Sequence, residues 1–172
     1  MADTPSDELP PDAPMLSQVL KAIRRRRGLR TIEVAQRMSL PIRSYERFES
    51  GRGPLNVARI HQFADATDSD GFAILMALDI RSPAFALRCL ENKAMTLMVM
   101  AIQEFDGLAK DDIGRLEPRT LIAGYTHMFD ELTAKAREID AFVERWMSDK
   151  SLHGSPEPEP SDDASTEGEP DA

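Results

Sequence analysis

Apolar residues recur every three or four positions through almost all of residues 15–150, and nowhere do they alternate singly with polar residues between turn formers. That spacing belongs to helices with one buried stripe, so the ordered part of the chain is expected to be all-α. Turn residues then set the helix lengths. Leu16, Val19, Leu20 and Ile23 share a stripe that Gly28 can end in a left-handed turn, which predicts a helix over 16–27. Ile32, Val34, Ala35 and Met38 support a short second helix after Arg30, with Thr31 as its cap or first residue. Ser39-Leu40-Pro41 reads as a tight turn, and Pro41 suits the opening turn of a helix because its missing N–H has no helical partner there. A third helix is expected over 42–50 with Tyr45 and Phe48 facing inward, stopped by Gly51 and then Gly53-Pro54. Val57, Ile60, Phe63 and Ala64 mark a fourth helix, and Phe72, Ile74, Leu75 and Leu78 a fifth. Together they make one compact five-helix module over 15–80.

A second helical region, 83–150, follows Arg81-Ser82-Pro83. Its first helix, about 84–105, is apolar on more than one side, which predicts burial. Asp106-Gly107 should break it, and a short piece near 110–116 leads to a long helix over about 118–148. The apolar residues of that helix are Ile122, Tyr125, Phe129, Leu132, Ala136, Ile139, Val143 and Trp146, spaced alternately by 3 and 4. Such a heptad seam pairs helices, either between chains or against the helix before it. A homodimer through 84–148 is preferred, because two linked modules gain avidity without new contacts. The flanks differ in kind. Residues 1–14 hold four prolines and four acids with no Lys or Arg, and residues 151–172 hold seven acids and no base. Neither can bury enough apolar surface to offset the entropy of ordering it, so a disordered arm and a disordered acidic tail are expected. The tail would either solubilise the protein or compete with an anionic ligand for basic residues elsewhere in the chain.

The net charge of −9 conceals a basic block: residues 15–60 carry eleven Lys and Arg against three acids. Such asymmetry points to a nucleic-acid surface, with a merely solvated helix face as the plainer alternative. Arg24 to Arg27 could extend that surface, but four consecutive residues circle a helix and cannot all face one ligand. No apolar run approaches the ~18 residues of a membrane span. The N-terminus has neither the basic start nor the apolar stretch of a secretory signal, so a cytoplasmic, nucleoid-associated protein is expected. A single cysteine, Cys89, excludes an intramolecular disulfide and reads as a small buried apolar residue. His61, His127 and His153 lack ligand spacing, and Met95, Met98 and Met100 read as packing. There is no phosphate-cradling glycine loop and no nucleophile–base pattern, so no enzyme, cofactor or metal site is expected.

A short helix, a three-residue turn and a second short helix ending in Glu-x-Gly read as a helix-turn-helix. The face of helix 42–50 opposite Tyr45 and Phe48 carries Ile42, Arg43, Ser44, Glu46 and Arg47. Arg43 and Arg47 lie four apart, and arginine grips O6 and N7 of guanine with two bonds. Ile42 suits a thymine methyl, and Ser44 a phosphate or a base edge.

The stretch LSQVLKAIRRRRGLRTIEVAQRMSLPIRSYERFESGRGP resembles the phage-repressor helix-turn-helix family (Cro/C1, also called xenobiotic-response-element), over about residues 16–78. The landmarks are Arg-Arg-x-x-Gly-Leu ending at Gly28-Leu29, then Val34-Ala35, Met38, Leu40 and the closing Glu46-Arg47-Phe48-Glu49-Ser50-Gly51. The resemblance implies a double-stranded-DNA-binding transcription regulator, repressor or activator, with service to a phage-like gene cluster as one option. It implies that Thr31 stands where the family often has a phosphate-touching glutamine, and that Arg30 and Arg52 are placed for phosphates. It also implies an internal ion pair between Arg24 and Glu49. Thr31, Pro41, Ile42 and a shortened loop at Gly53-Pro54 depart from the family pattern and bear on the operator sequence. RNA polymerase or a co-regulator would be a further partner, with Glu33 and the acidic second region as the surface. The alternative is an interaction adaptor or antitoxin-like partner acting through the C-terminal helices.

Overall fold

The computed structural model describes residues 12–152, with side chains except those of 139–140 and 142–152. The expectations for the acidic arm before Asp12 and the tail from 153 onward fall outside the described residues, as do those for the side chains of Ile139, Val143 and Trp146. In order the elements are α1 (Ala13–Arg26), α2 (Thr31–Arg37), α3 (Ile42–Glu49), α4 (Val57–Thr67), α5 (Gly71–Asp79), α6 (Pro83–Arg88), α7 (Ala94–Ala109), a 3₁₀ turn (Lys110–Arg115) and α8 (Pro118–Leu152). No strand occurs among the described residues.

The core is built from the stripes the spacing predicts. Leu16, Val19, Leu20 and Ile23 of α1 meet Val34 and Ala35 of α2, Tyr45 of α3, Ile60 and Phe63 of α4, and Ile74, Ala77 and Leu78 of α5. Each large side chain fully buried here contributes about 1.5–3 kcal/mol before entropy is charged against it. α1 starts at Ala13, three residues earlier than expected, so the N-terminal arm cannot extend to residue 14. Pro14 occupies the first turn, where it costs no hydrogen bond, and Ala13 is buried. The reason lies at Gly51, whose φ of +72° ends α3 and whose missing side chain leaves room for Ala13. A Cβ there would sit 2.3 Å from the Ala13 carbonyl oxygen.

Four further expectations are corrected. The core does not close at residue 80: Ala86 and Leu90 are buried with the first five helices, and α6 packs on α1 and α5. The chain divides into compact units between Ile113 and Gly114 instead. The helix expected over 84–105 is two helices, because Lys93 turns the chain in a left-handed conformation (φ 51°) before α7. Asp106-Gly107 does not break α7, which runs on to Ala109; one glycine in a helix interior costs only about 1 kcal/mol. Nor is α7 buried. It lies beside α5, yet Leu97, Met100, Ile102, Phe105 and Leu108 are exposed. Its apolar girth exceeds what one neighbouring helix can cover.

Candidate nucleic-acid interface

α3 is short, so its orientation depends on how its inner face is held. Tyr45 and Glu49, one turn apart, are both buried. The Arg24 guanidinium reaches from α1 and donates Nε to Glu49 Oε1 at 2.6 Å and Nη2 to Oε2 at 3.2 Å. Its Nη1 donates to the Leu29 carbonyl at 3.2 Å, and the Tyr45 hydroxyl donates to Glu49 Oε1 at 2.7 Å. The Glu49 hydrogen bond raises the pKa of Arg24. Burial, reinforced by that same carboxylate, pushes the Tyr45 phenol far up. A bidentate pair inside the fold, rather than on its surface, thus fixes α3 against α1. The rings of Tyr45 and Phe48 lie 6.4 Å apart, and those of Phe48 and Phe63 6.1 Å, which extends the same anchor to α4.

With that face fixed, the other is determined. Ile42, Arg43, Ser44, Glu46 and Arg47 are all exposed. The turn before them is tight: Ser39 has φ 52°, and Leu40 N–H donates to the Ala35 carbonyl at 2.9 Å. Thr31 is the first residue of α2 and half-buried. Arg30, just before it, is exposed but engaged. Its backbone N–H donates to Glu33 Oε2 at 2.6 Å, and its side chain pairs with Glu33 Oε1 at 3.2 Å. That bond lowers the Glu33 pKa. Such an exposed pair is weak and can be exchanged for another anion.

Beyond α3 the chain folds back into a recess of about 290 Å³ lined by Ser44, Arg47, Phe48, Arg52, Gly53, Pro54, Asn56 and Arg59. Asn56 caps α4, its side-chain oxygen accepting the Arg59 N–H at 2.9 Å. Three arginines and the positive end of an eleven-residue helix therefore border one opening. Asn56 and Arg59 were not among the residues singled out from sequence; an Asn directly before an apolar-periodic segment is the signal that marks the cap. The recess shows that Arg47 and Arg52, expected for bases and phosphates respectively, are neighbours.

The arginine run divides. Arg27 turns inward and across: Nε donates to the Thr67 carbonyl at 3.1 Å and Nη1 to Glu91 at 3.1 Å. Nη2 donates to the carbonyls of Asp68 and Leu90. It ties α1 to the ends of α4 and α6. Arg25 and Arg26 are exposed.

A family model described as a helix-turn-helix domain matches residues 16–71. This segment is a helix-turn-helix domain of the Cro/C1 type. Searches of curated proteins and of solved structures found no match. The helix-turn-helix domain as matched ends where α5 begins, while Ala86 and Leu90 beyond it share its core. It is a DNA-binding module, and its α3 is the second helix of the motif. Among the described residues no helix is long and apolar enough to cross a membrane.

Proposed function

We propose that the chain is a sequence-specific regulator of transcription that lays α3 in the major groove of double-stranded DNA. The observation that carries this is the division of α3: Tyr45 and Glu49 are locked inward, so Ile42, Arg43, Ser44, Glu46 and Arg47 are presented to solvent. In this reading Arg43 and Arg47 read guanine edges, and Ile42 touches a thymine methyl. Arg52, Arg59 and the N-terminus of α4 hold a backbone phosphate at the recess, with Arg30 and Thr31 at a second phosphate. Two copies joined within 84–148 would bind two half-sites, and the exposed apolar residues of α7 and α8 favour association of this kind. The same residues also favour the adaptor reading, in which the C-terminal helices bind a different protein.

The deciding experiment is a genome-wide map of bound sites for the wild type beside the Arg43→Ala/Arg47→Ala double variant. A shared motif in the wild type that the variant loses supports the regulator. An unstructured, identical distribution for both proteins rejects it. Reporter transcription from the mapped promoters, with and without the protein, then assigns repression or activation.

A further inference from the structure

α8 presents Ile122, Tyr125, Phe129 and Leu132 at successive steps of 3, 4 and 3, and each is more than half exposed. Four aromatic and aliphatic side chains so placed leave on the order of 500 Å² open to water. A monomer seldom shows a contiguous apolar patch larger than that. It is already more than half of the ~800 Å² that each partner contributes to a standard interface, and in sequence the spacing continues through Ala136, Ile139, Val143 and Trp146. A constant 3–4 alternation from 122 to 146, within one continuous helix, matches another helix of the same repeat lying alongside it. A globular partner imposes no such period.

The register fixes the charges. With Ile122 and Phe129 at heptad position a and Tyr125 and Leu132 at d, Lys135 falls at g and Asp140 at the next e. In a parallel, in-register pair, each g faces the following e of the other helix, whereas antiparallel helices oppose g with g and e with e. We propose that a second copy of this chain covers the stripe, the two α8 helices running parallel and in register with Lys135 beside Asp140 of the partner subunit. This names the surface for the two-copy reading above and rests on it. In the single chain Lys135 Nζ bonds Glu138 at 2.9 Å, three residues along an exposed face. Such a pair is weak enough to exchange.

The test uses the full-length protein and three measurements. Sedimentation of the wild type at micromolar concentration should give a dimer. Lys135→Glu should raise its dissociation constant by about fivefold or more, since two attractions become repulsions, and Lys135→Glu with Asp140→Lys should restore it. Ile122→Cys, in a chain also carrying Cys89→Ala, should form a disulfide-linked dimer on mild oxidation. In an antiparallel pair centred on α8 the two copies of residue 122 would lie roughly 40 Å apart and would not link. A dimeric wild type whose Ile122→Cys variant fails to link, or whose charge reversal is not rescued, overturns the parallel arrangement while leaving two copies intact. A wild type that stays monomeric with and without DNA overturns both and leaves the stripe to a different protein.

Discussion

The buried carboxylate of Asp70 accepts the hydroxyl of Thr96 at 2.9 Å. The same side chain takes the backbone N–H groups of Met95 and Thr96 at 2.9 and 3.1 Å and of Ala73 at 3.1 Å. One residue thus caps two helices, α5 and α7, which start at Gly71 and Ala94. Replacing it with alanine leaves several buried donors without an acceptor. Asp70→Ala should cost about 2–4 kcal/mol, seen as a lowered midpoint in urea, with Asp70→Asn costing less. An unchanged midpoint would show that water serves these donors as well.

Glu49→Ala should be at least as damaging. It leaves the Arg24 guanidinium, only 15% exposed, without its carboxylate, and it deprives the Tyr45 hydroxyl of its acceptor. Breaking a buried pair by removing one partner costs about 3–5 kcal/mol. For a unit of this size that is a fall in Tm on the order of 10 °C or more. Calorimetry on Glu49→Ala and Glu49→Gln would measure it, the amide recovering part of the loss.

Alkaline stability should report Tyr45. Its folded pKa is raised by burial and by the Glu49 bond, whereas an unfolded phenol ionises near pH 10. The stabilisation from this group is therefore complete below about pH 10 and is lost as pH rises above it, by at most ~1.4 kcal/mol per pH unit. Tyr45→Phe lacks the hydroxyl bond and should be about 1 kcal/mol less stable at pH 7. Its denaturation curve should then converge on that of the wild type between pH 10 and 11. Parallel curves across this range would remove Tyr45 as the titrating group.

Binding assays on an identified operator should separate two classes of arginine. Arg43→Ala or Arg47→Ala is expected to cost about 1–3 kcal/mol on the operator and to relax preference at one base pair. Arg52→Ala or Arg59→Ala should weaken binding to all sequences alike and reduce the salt slope by about one. Equal losses for all four on operator and random DNA would assign them all to the backbone.

The first five helices were legible because each has its own local signals: a stripe, a stop such as Gly28 or Gly51, and a start such as Pro41. Helix α3's outer face was legible for the same reason, since naming Tyr45 as buried names its opposite side. What escaped was non-local. Nothing around Asp70 says that its carboxylate will reach Met95 and Thr96, so the break between α6 and α7 was missed. Nothing around Leu90 says that it joins a core begun at Leu16. Arg59 escaped because it lines the recess only once the Gly53-Pro54 loop has folded back.

The run Arg24 to Arg27 is four repeats of one letter with unlike fates. Arg24 and Arg27 are forks that hold several acceptors at fixed angles, a task that a lysine cannot take over. Positions 25 and 26 face water. In related chains the outer pair of this run should therefore remain arginine, while the inner pair drifts freely to lysine, glutamine or glutamate.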